Sequence, residues 1–219
     1  MDPFRFAIAA VPLAAYLALL GLINLRRKPL VTSGASDLAA LGIALTGVVW
    51  IGPLELFRPE AATAEFGNYI WPILIGFYWL WVALAVLTSR PRLVVYNTSA
   101  EELRPVLVEA VMPLDPEARW AGDSLLLPRL GVQLHLDEFH LMRNVSLVSS
   151  GGRQNLESWR RLATSVRRGM KSLCVQPNPR ALGFFLLAIL LFGGAITHLL
   201  RHPQELAEAI QQVFAYGAA

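Results

Sequence analysis

The sequence predicts a multi-pass α-helical membrane protein with four transmembrane helices and, inserted before the last, a small α+β cytoplasmic domain in which two helices pack on an antiparallel sheet. Three observations carry that reading. The 219 residues are 55% hydrophobic and only 16% charged, too apolar for one ordinary soluble domain. Charge vanishes over four intervals of membrane-spanning length, yet between Arg90 and Arg180 it returns at the density of a water-soluble fold. Within that charged stretch the hydrophobic period switches between 2 and about 3.6, as it does where strands and helices follow one another. The implied organisation is a three-helix transmembrane region over residues 1–89, the cytoplasmic α/β domain over 90–179, and the fourth span with an outer amphipathic tail over 180–219.

A bilayer core about 30 Å thick takes about 20 apolar helical residues. Residues 6–25 carry no charge, 38–54 lie between Asp37 and Glu55, 66–89 between Glu65 and Arg90, and 181–200 between Arg180 and Arg201. Positive charge follows the first span, at Arg26, Arg27 and Lys28, so that span reads as a retained anchor and not as a cleaved secretory signal. With the loops assigned in alternation, those three cations and thirteen more between 90 and 180 share one side, against Arg5, Arg58 and Arg201 on the other. The positive-inside rule then predicts a cell (inner) membrane protein with both termini outside and residues 90–179 in the cytoplasm.

Pro12, Pro53 and Pro72 fall within or at the edge of three spans, where a missing N–H and a ring clash favour kinks and leave carbonyls for neighbouring helices to cover. Ser36, Ala39, Gly42 and Thr46 form a stripe of small residues on the second span, read as an intrachain packing face ahead of a dimer face. The third span is rich in rings. Tyr69 and Trp71 fit an interfacial belt, whereas Phe77, Tyr78, Trp79 and Trp81 lie deeper and suit lipid contact, a partner subunit or a hydrophobic groove. No Asp, Glu, Lys, Arg or His occupies a midspan position, which counts against ion-coupled transport.

The inserted domain opens with a strand over 92–96, closed by turn residues Asn97, Thr98 and Ser99. Ser99 and Glu102 spell a capping box for a helix whose apolar face is Leu103, Leu107, Ala110, Val111 and Leu114. Pro105 conflicts with it and predicts a later start or a bend. A hairpin around Gly122 and Asp123 comes next, then a strand over 131–139 in which Val132, Leu134 and Leu136 alternate with polar residues. A strand over 144–148, a break at Gly151 and Gly152, and a helix from about Asn155 complete an α+β sandwich.

That last helix is strongly basic and amphipathic. Trp159, Leu162, Ala163, Val166, Met170 and Leu173 recur at three or four residues, and Arg160, Arg161, Arg167, Arg168 and Lys171 take the remaining surface. These five cations are the candidate binding residues, for the anionic headgroups of the bilayer or for a protein partner. Near a negative inner leaflet each contributes about 1 kcal/mol. Of the 19 basic residues 17 are arginine, the side chain suited to bidentate contact with phosphate or carboxylate. The net charge of +3 is too small to argue for nucleic acid.

Candidates for chemistry are weak. His135 and Asp137 share one face of their strand, with Glu138 and His140 on the other, so at most two ligands converge there. His198, His202 and Glu205 follow helical spacing at the end of the fourth span, with Pro203 interrupting them. The single cysteine, Cys174, allows no intrachain disulfide and no paired-thiol metal site. Asn97-Thr98-Ser99 and Asn144-Val145-Ser146 spell glycosylation sites that a cytoplasmic domain leaves unused. No phosphate-cradling glycine loop or nucleophile elbow is spelled anywhere. The functional expectation is a non-catalytic interaction, scaffold or membrane-sensing subunit without a cofactor. Its partners would meet the cytoplasmic domain or the aromatic third helix. A membrane-embedded enzyme acting on a lipid or membrane-bound substrate is the alternative, and a transporter component stands third.

Overall fold

The computed structural model describes residues 3–54, 67–140, 142–151 and 155–204. They form two compact units. Among the described residues there are six α-helices, and four helical segments are long and apolar enough to cross a membrane: α1 (Pro3–Leu25), α2 (Gly34–Val49) with its continuation to Gly52, α3 (Ile70–Thr88) and α6 (Ala181–Arg201).

The first unit holds most of these four helices. The second span begins at Gly34 and not at residue 38, because Ser33 caps it by accepting the Ser36 N–H at 3.1 Å. Asp37 therefore sits in the first turn, where a negative charge suits the helix dipole, and does not mark the span's boundary. The span that carries Pro53 leaves α-geometry for a π-helical turn over Trp50–Leu54. Helix α1 continues through Pro12, and Pro72 sits in the first turn of α3, where its missing N–H costs no intrahelical bond. Within the small-residue stripe Gly42 faces the third span, since a Cβ added there would lie 2.9 Å from Val82 Cγ1. The Tyr78 hydroxyl donates to the Gly42 carbonyl at 2.6 Å, so one of the deep rings on α3 finds a polar partner within the chain. Phe77 and Trp81 are about two-thirds exposed, at 64% and 67%, in keeping with rings that need an apolar solvent.

The second unit comprises Gly21–Leu38 and Val86–Ala181. Its sheet has six antiparallel strands in the order β1 (Leu30–Ser33), β2 (Arg92–Tyr96), β6 (Asn144–Ser149), β5 (Val132–Phe139), β4 (Ser124–Leu127), β3 (Arg119–Ala121). The edge strand β1 comes from the connection between α1 and α2, outside residues 90–179, and pairs Val31 with Val95 and Thr32 with Val94. The alternation in β5 is realised: Val132, Leu134 and Leu136 are buried and Gln133, His135 and Asp137 are exposed. Helices α4 (Ala100–Val111) and α5 (Leu156–Ser172) close one core with these strands, in which Leu103, Leu107, Leu162 and Val166 have no exposed surface. Burying a leucine of this kind contributes about 1.5–3 kcal/mol.

Both helices are capped as their sequences require. Ser99 Oγ accepts from the Glu102 N–H, and Glu102 Oε2 accepts from the Ser99 N–H at 3.1 Å. Asn155 Oδ1 accepts from the amides of Glu157 and Ser158. Pro105 neither delays nor ends α4. Glu101, whose carbonyl loses its helical partner, lies on the exposed face where water replaces the bond, while the capping box and the buried leucines hold the helix on either side.

Three buried polar groups tie the loops of this unit. Asp115 is fully buried and accepts from the backbone N–H groups of Glu117, Arg129 and Leu130 at 3.1, 2.8 and 3.3 Å. Asn97, at φ +60 in the left-handed region that asparagine tolerates, donates through Nδ2 to the Arg26 carbonyl at 2.6 Å. Asn178 donates through Nδ2 to Asn24 Oδ1 at 3.1 Å and through its backbone N–H to the Asn24 carbonyl at 2.9 Å.

Candidate functional site

Helix α5 sorts its side chains as its periodicity demands. Trp159, Leu162, Ala163, Val166 and Met170 are buried in the domain core, and Arg160, Arg161, Arg167, Arg168 and Lys171 are all exposed. Arg161 pairs with Glu157 one turn earlier, at 2.5 Å. Among the described residues no carboxylate pairs with the other four cations, so their field is not neutralised at contact distance.

Two of these arginines turn toward a feature that the sequence reading missed. A cavity of about 480 Å³ is lined by Arg160 and Arg167 of α5 together with Arg90 and Arg92, which lead into and begin β2. Hydroxyls of Ser33, Ser89 and Thr164 complete the polar wall. Trp159, Ala163, Val86 and Ala35 supply an apolar wall, the last two from the final turn of α3 and the first turn of α2. The volume lies in the range of ordinary small-molecule sites. No Asp, Glu, His, Lys or Cys appears among its described lining residues, and four arginines do, so the arrangement suits binding an anion.

Arg92 is the most constrained of the four. Its stem lies on the backbone of Gly34, where an added Cβ would come within 2.0 Å of Arg92 Cγ. One terminal nitrogen lies 3.3 Å from Asp37 Oδ2, and the other oxygen of Asp37 accepts from the Tyr96 hydroxyl. Its Nε is buried without a hydrogen-bond partner. A buried donor left unmade costs about 1–3 kcal/mol, and more when the group is charged, so this N–H gains from an acceptor. Arg90 and Arg92 flank a proline in a short Arg-Pro-Arg sequence where span gives way to strand; that spacing is the available signal, hidden because Arg90 reads as the boundary of the third span and Arg92 as the first residue of a strand.

The metal-type residues come together in pairs. His135 Nδ1 lies 3.2 Å from the Ser124 hydroxyl across the β4–β5 pair, and His140 lies 3.9 Å from Glu138. Asp137 is exposed on the face of His135 with no third ligand. The His198 and His202 rings meet edge to face at 5.1 Å, and Phe6 packs on His198 at 6.0 Å. Among the described residues no three His, Cys, Asp or Glu side chains gather to hold an ion. Glu205 and the predicted outer tail with Leu206, Ile210 and Val213 lie outside the described residues, as do Arg58, Glu55 and Glu65.

Comparison with known proteins adds no relative: no family model matches the chain, and neither a curated protein nor a solved structure matches it significantly.

Proposed function

We propose that the chain is a non-catalytic, multi-pass protein of the cell membrane whose sheet domain lies on the cytoplasmic side and meets anionic lipid headgroups through helix α5. The observation that carries this reading is the sorting of α5, with its apolar face in the domain core and five cations outside, four of them without a carboxylate partner among the described residues. Such a face gains about 1 kcal/mol per cation near a negative leaflet. The sheet itself supports the predicted topology. Strand β1 follows the first span and β2 follows the third, and their pairing requires both connections to be on the same side of any membrane the helices cross. The positive-inside rule makes that side the cytoplasm.

Cys174 gives the test, since it is exposed, unique in the chain and two residues beyond the end of α5. A fluorophore on Cys174 of the full protein in nanodiscs is expected to be quenched by headgroup spin labels, more strongly with anionic than with zwitterionic lipid, and less so in high salt. Equal quenching in both lipids would remove the headgroup reading. Labelling of Cys174 in unbroken cells by an impermeant maleimide would reverse the sidedness.

A further inference from the structure

We infer that the four-arginine cavity is a discrete binding site for a phosphate ester, set where the second and third spans end. The inference deepens the headgroup reading and rests on it for the source of the ligand, but its evidence is separate: it concerns Arg90 and Arg92 as much as α5.

Three features point to phosphate. The cavity gathers four guanidinium groups and, among its described lining, no carboxylate; Asp37 touches Arg92 from outside that lining and offsets at most one charge. Like charges gathered around one concavity repel one another, and a multivalent oxyanion is the ligand that relieves this. Guanidinium presents paired N–H donors that match two oxygens of one phosphate, which an ammonium does not. The hydroxyls are less available as donors, since those of Ser89 and Thr164 already donate to the carbonyls of Val86 and Arg160. Recognition therefore falls to the arginines.

The second half of the lining selects the form of the ester. Trp159, Ala163, Val86 and Ala35 give one wall no charged side chain, and Val86 and Ala35 belong to the terminal turns of apolar helices. A helix of 19 residues spans about 28 Å, close to the hydrocarbon thickness, so its last turn falls at the level where headgroup phosphates lie. An anion with an apolar tail, such as a phospholipid carrying a phosphomonoester or phosphodiester, satisfies both walls together. A soluble phosphate ester satisfies the polar wall alone.

The experiment uses the full protein reconstituted in nanodiscs of phosphatidylcholine doped with phosphatidic acid, phosphatidylglycerol or, at matched charge, oleate, followed by native mass spectrometry of the released protein and its retained lipid. Retention of one phospholipid about tenfold over oleate is expected. Arg90→Gln with Arg167→Gln should abolish that preference, and Arg104→Gln with Arg119→Gln, exposed cations of the same domain outside both α5 and the lining, should preserve it. Circular dichroism of each variant separates loss of binding from loss of fold. Should the pair fail to fold, Arg90→Lys alone, which keeps the charge and loses the fork, is expected to lower retention several-fold. Displacement of the lipid by millimolar glycerol 3-phosphate would make a soluble ester the ligand of the same site. Equal retention of oleate, or equal loss in both double variants, would overturn the site. The last result leaves Cys174 quenching intact, so the pocket can fail while the broader headgroup reading stands; absent quenching with retained binding of glycerol 3-phosphate is the converse.

Discussion

The carbonyl oxygen of Ile8 lies against the backbone of Gly47, so close that a Cβ at residue 47 would sit 2.0 Å from it. Ile8 is the residue four before Pro12, whose missing N–H leaves that carbonyl without its helical partner. The glycine of α2 thus covers a carbonyl that the proline of α1 exposes, by a close backbone approach of the kind small residues permit between apolar helices. Gly47→Ala is expected to lower the stability of the helical unit by about 1–3 kcal/mol, the usual range for overpacking. Gly76→Ala, where an added Cβ meets nothing within 4 Å, should be neutral or slightly stabilising. Unfolding by denaturant in detergent micelles compares the two; equal midpoints would remove the packing argument.

Legibility in the sequence followed the range of the interaction. Spans, strands with one buried face, the Ser99–Glu102 box and the two faces of α5 depend on residues within one or two turns of each other, and periodicity exposes them. Strand β1 does not stand out, although Val31-Thr32 is a β-branched pair, because a four-residue strand acquires meaning only when β2 lies beside it about 60 residues later. The stripe on α2 singled out Gly42 correctly as a contact but passed over Gly47, whose partner is another helix's carbonyl and not a side chain. The cavity was invisible for the same reason. Arg160 and Arg167 stand out in the sequence as candidate binding cations of one helix, while Arg90 and Arg92, which join them in three dimensions, are about 70 residues away in the chain.

Asp115 holds the turn before β3 to the turn after β4 by accepting three backbone N–H groups with no exposed surface of its own. Removing the carboxylate leaves those donors without acceptors, so Asp115→Ala is expected to cost about 3 kcal/mol. Asp115→Asn keeps one acceptor oxygen and should cost less. Hydrogen exchange localises the effect: the amides of Arg129 and Leu130 should lose protection in Asp115→Ala well before those of Leu134 or Leu147. Uniform loss across the sheet would mean that the aspartate supports the whole core and not this one junction.

The amide pair of Asn24 and Asn178 is buried on both sides, at 1% and 4% exposure, and joins the end of α1 to the segment before α6. Each single change to leucine leaves a buried amide facing an apolar group, a loss of about 1–3 kcal/mol, while changing both removes the stranded partner. A double-mutant cycle in thermal unfolding should therefore show the pair Asn24→Leu with Asn178→Leu less destabilised than the sum of the singles, by about 1 kcal/mol or more. Strict additivity would show that each asparagine is held by its other partners, the Asn178 N–H and the Arg180 amide among them.

Asp37 stands between folding and binding in the same unit. Its carboxylate lies 3.3 Å from Arg92 and also accepts from Tyr96, with the pair's side chains 35% and 21% exposed. A partly exposed pair at that distance is screened and contributes about 0.2–1 kcal/mol to stability. Asp37→Asn keeps an acceptor for the Tyr96 hydroxyl and removes the charge that draws on Arg92. Folding should then change by less than about 1 kcal/mol, while retention of phosphatidic acid should rise about 1.4- to fivefold, the factor corresponding to the same energy returned to the anion. The gain should shrink as salt increases, because only the electrostatic part has changed. Lower retention with the fold intact would mean that the carboxylate positions Arg92 for its ligand and does not compete with it.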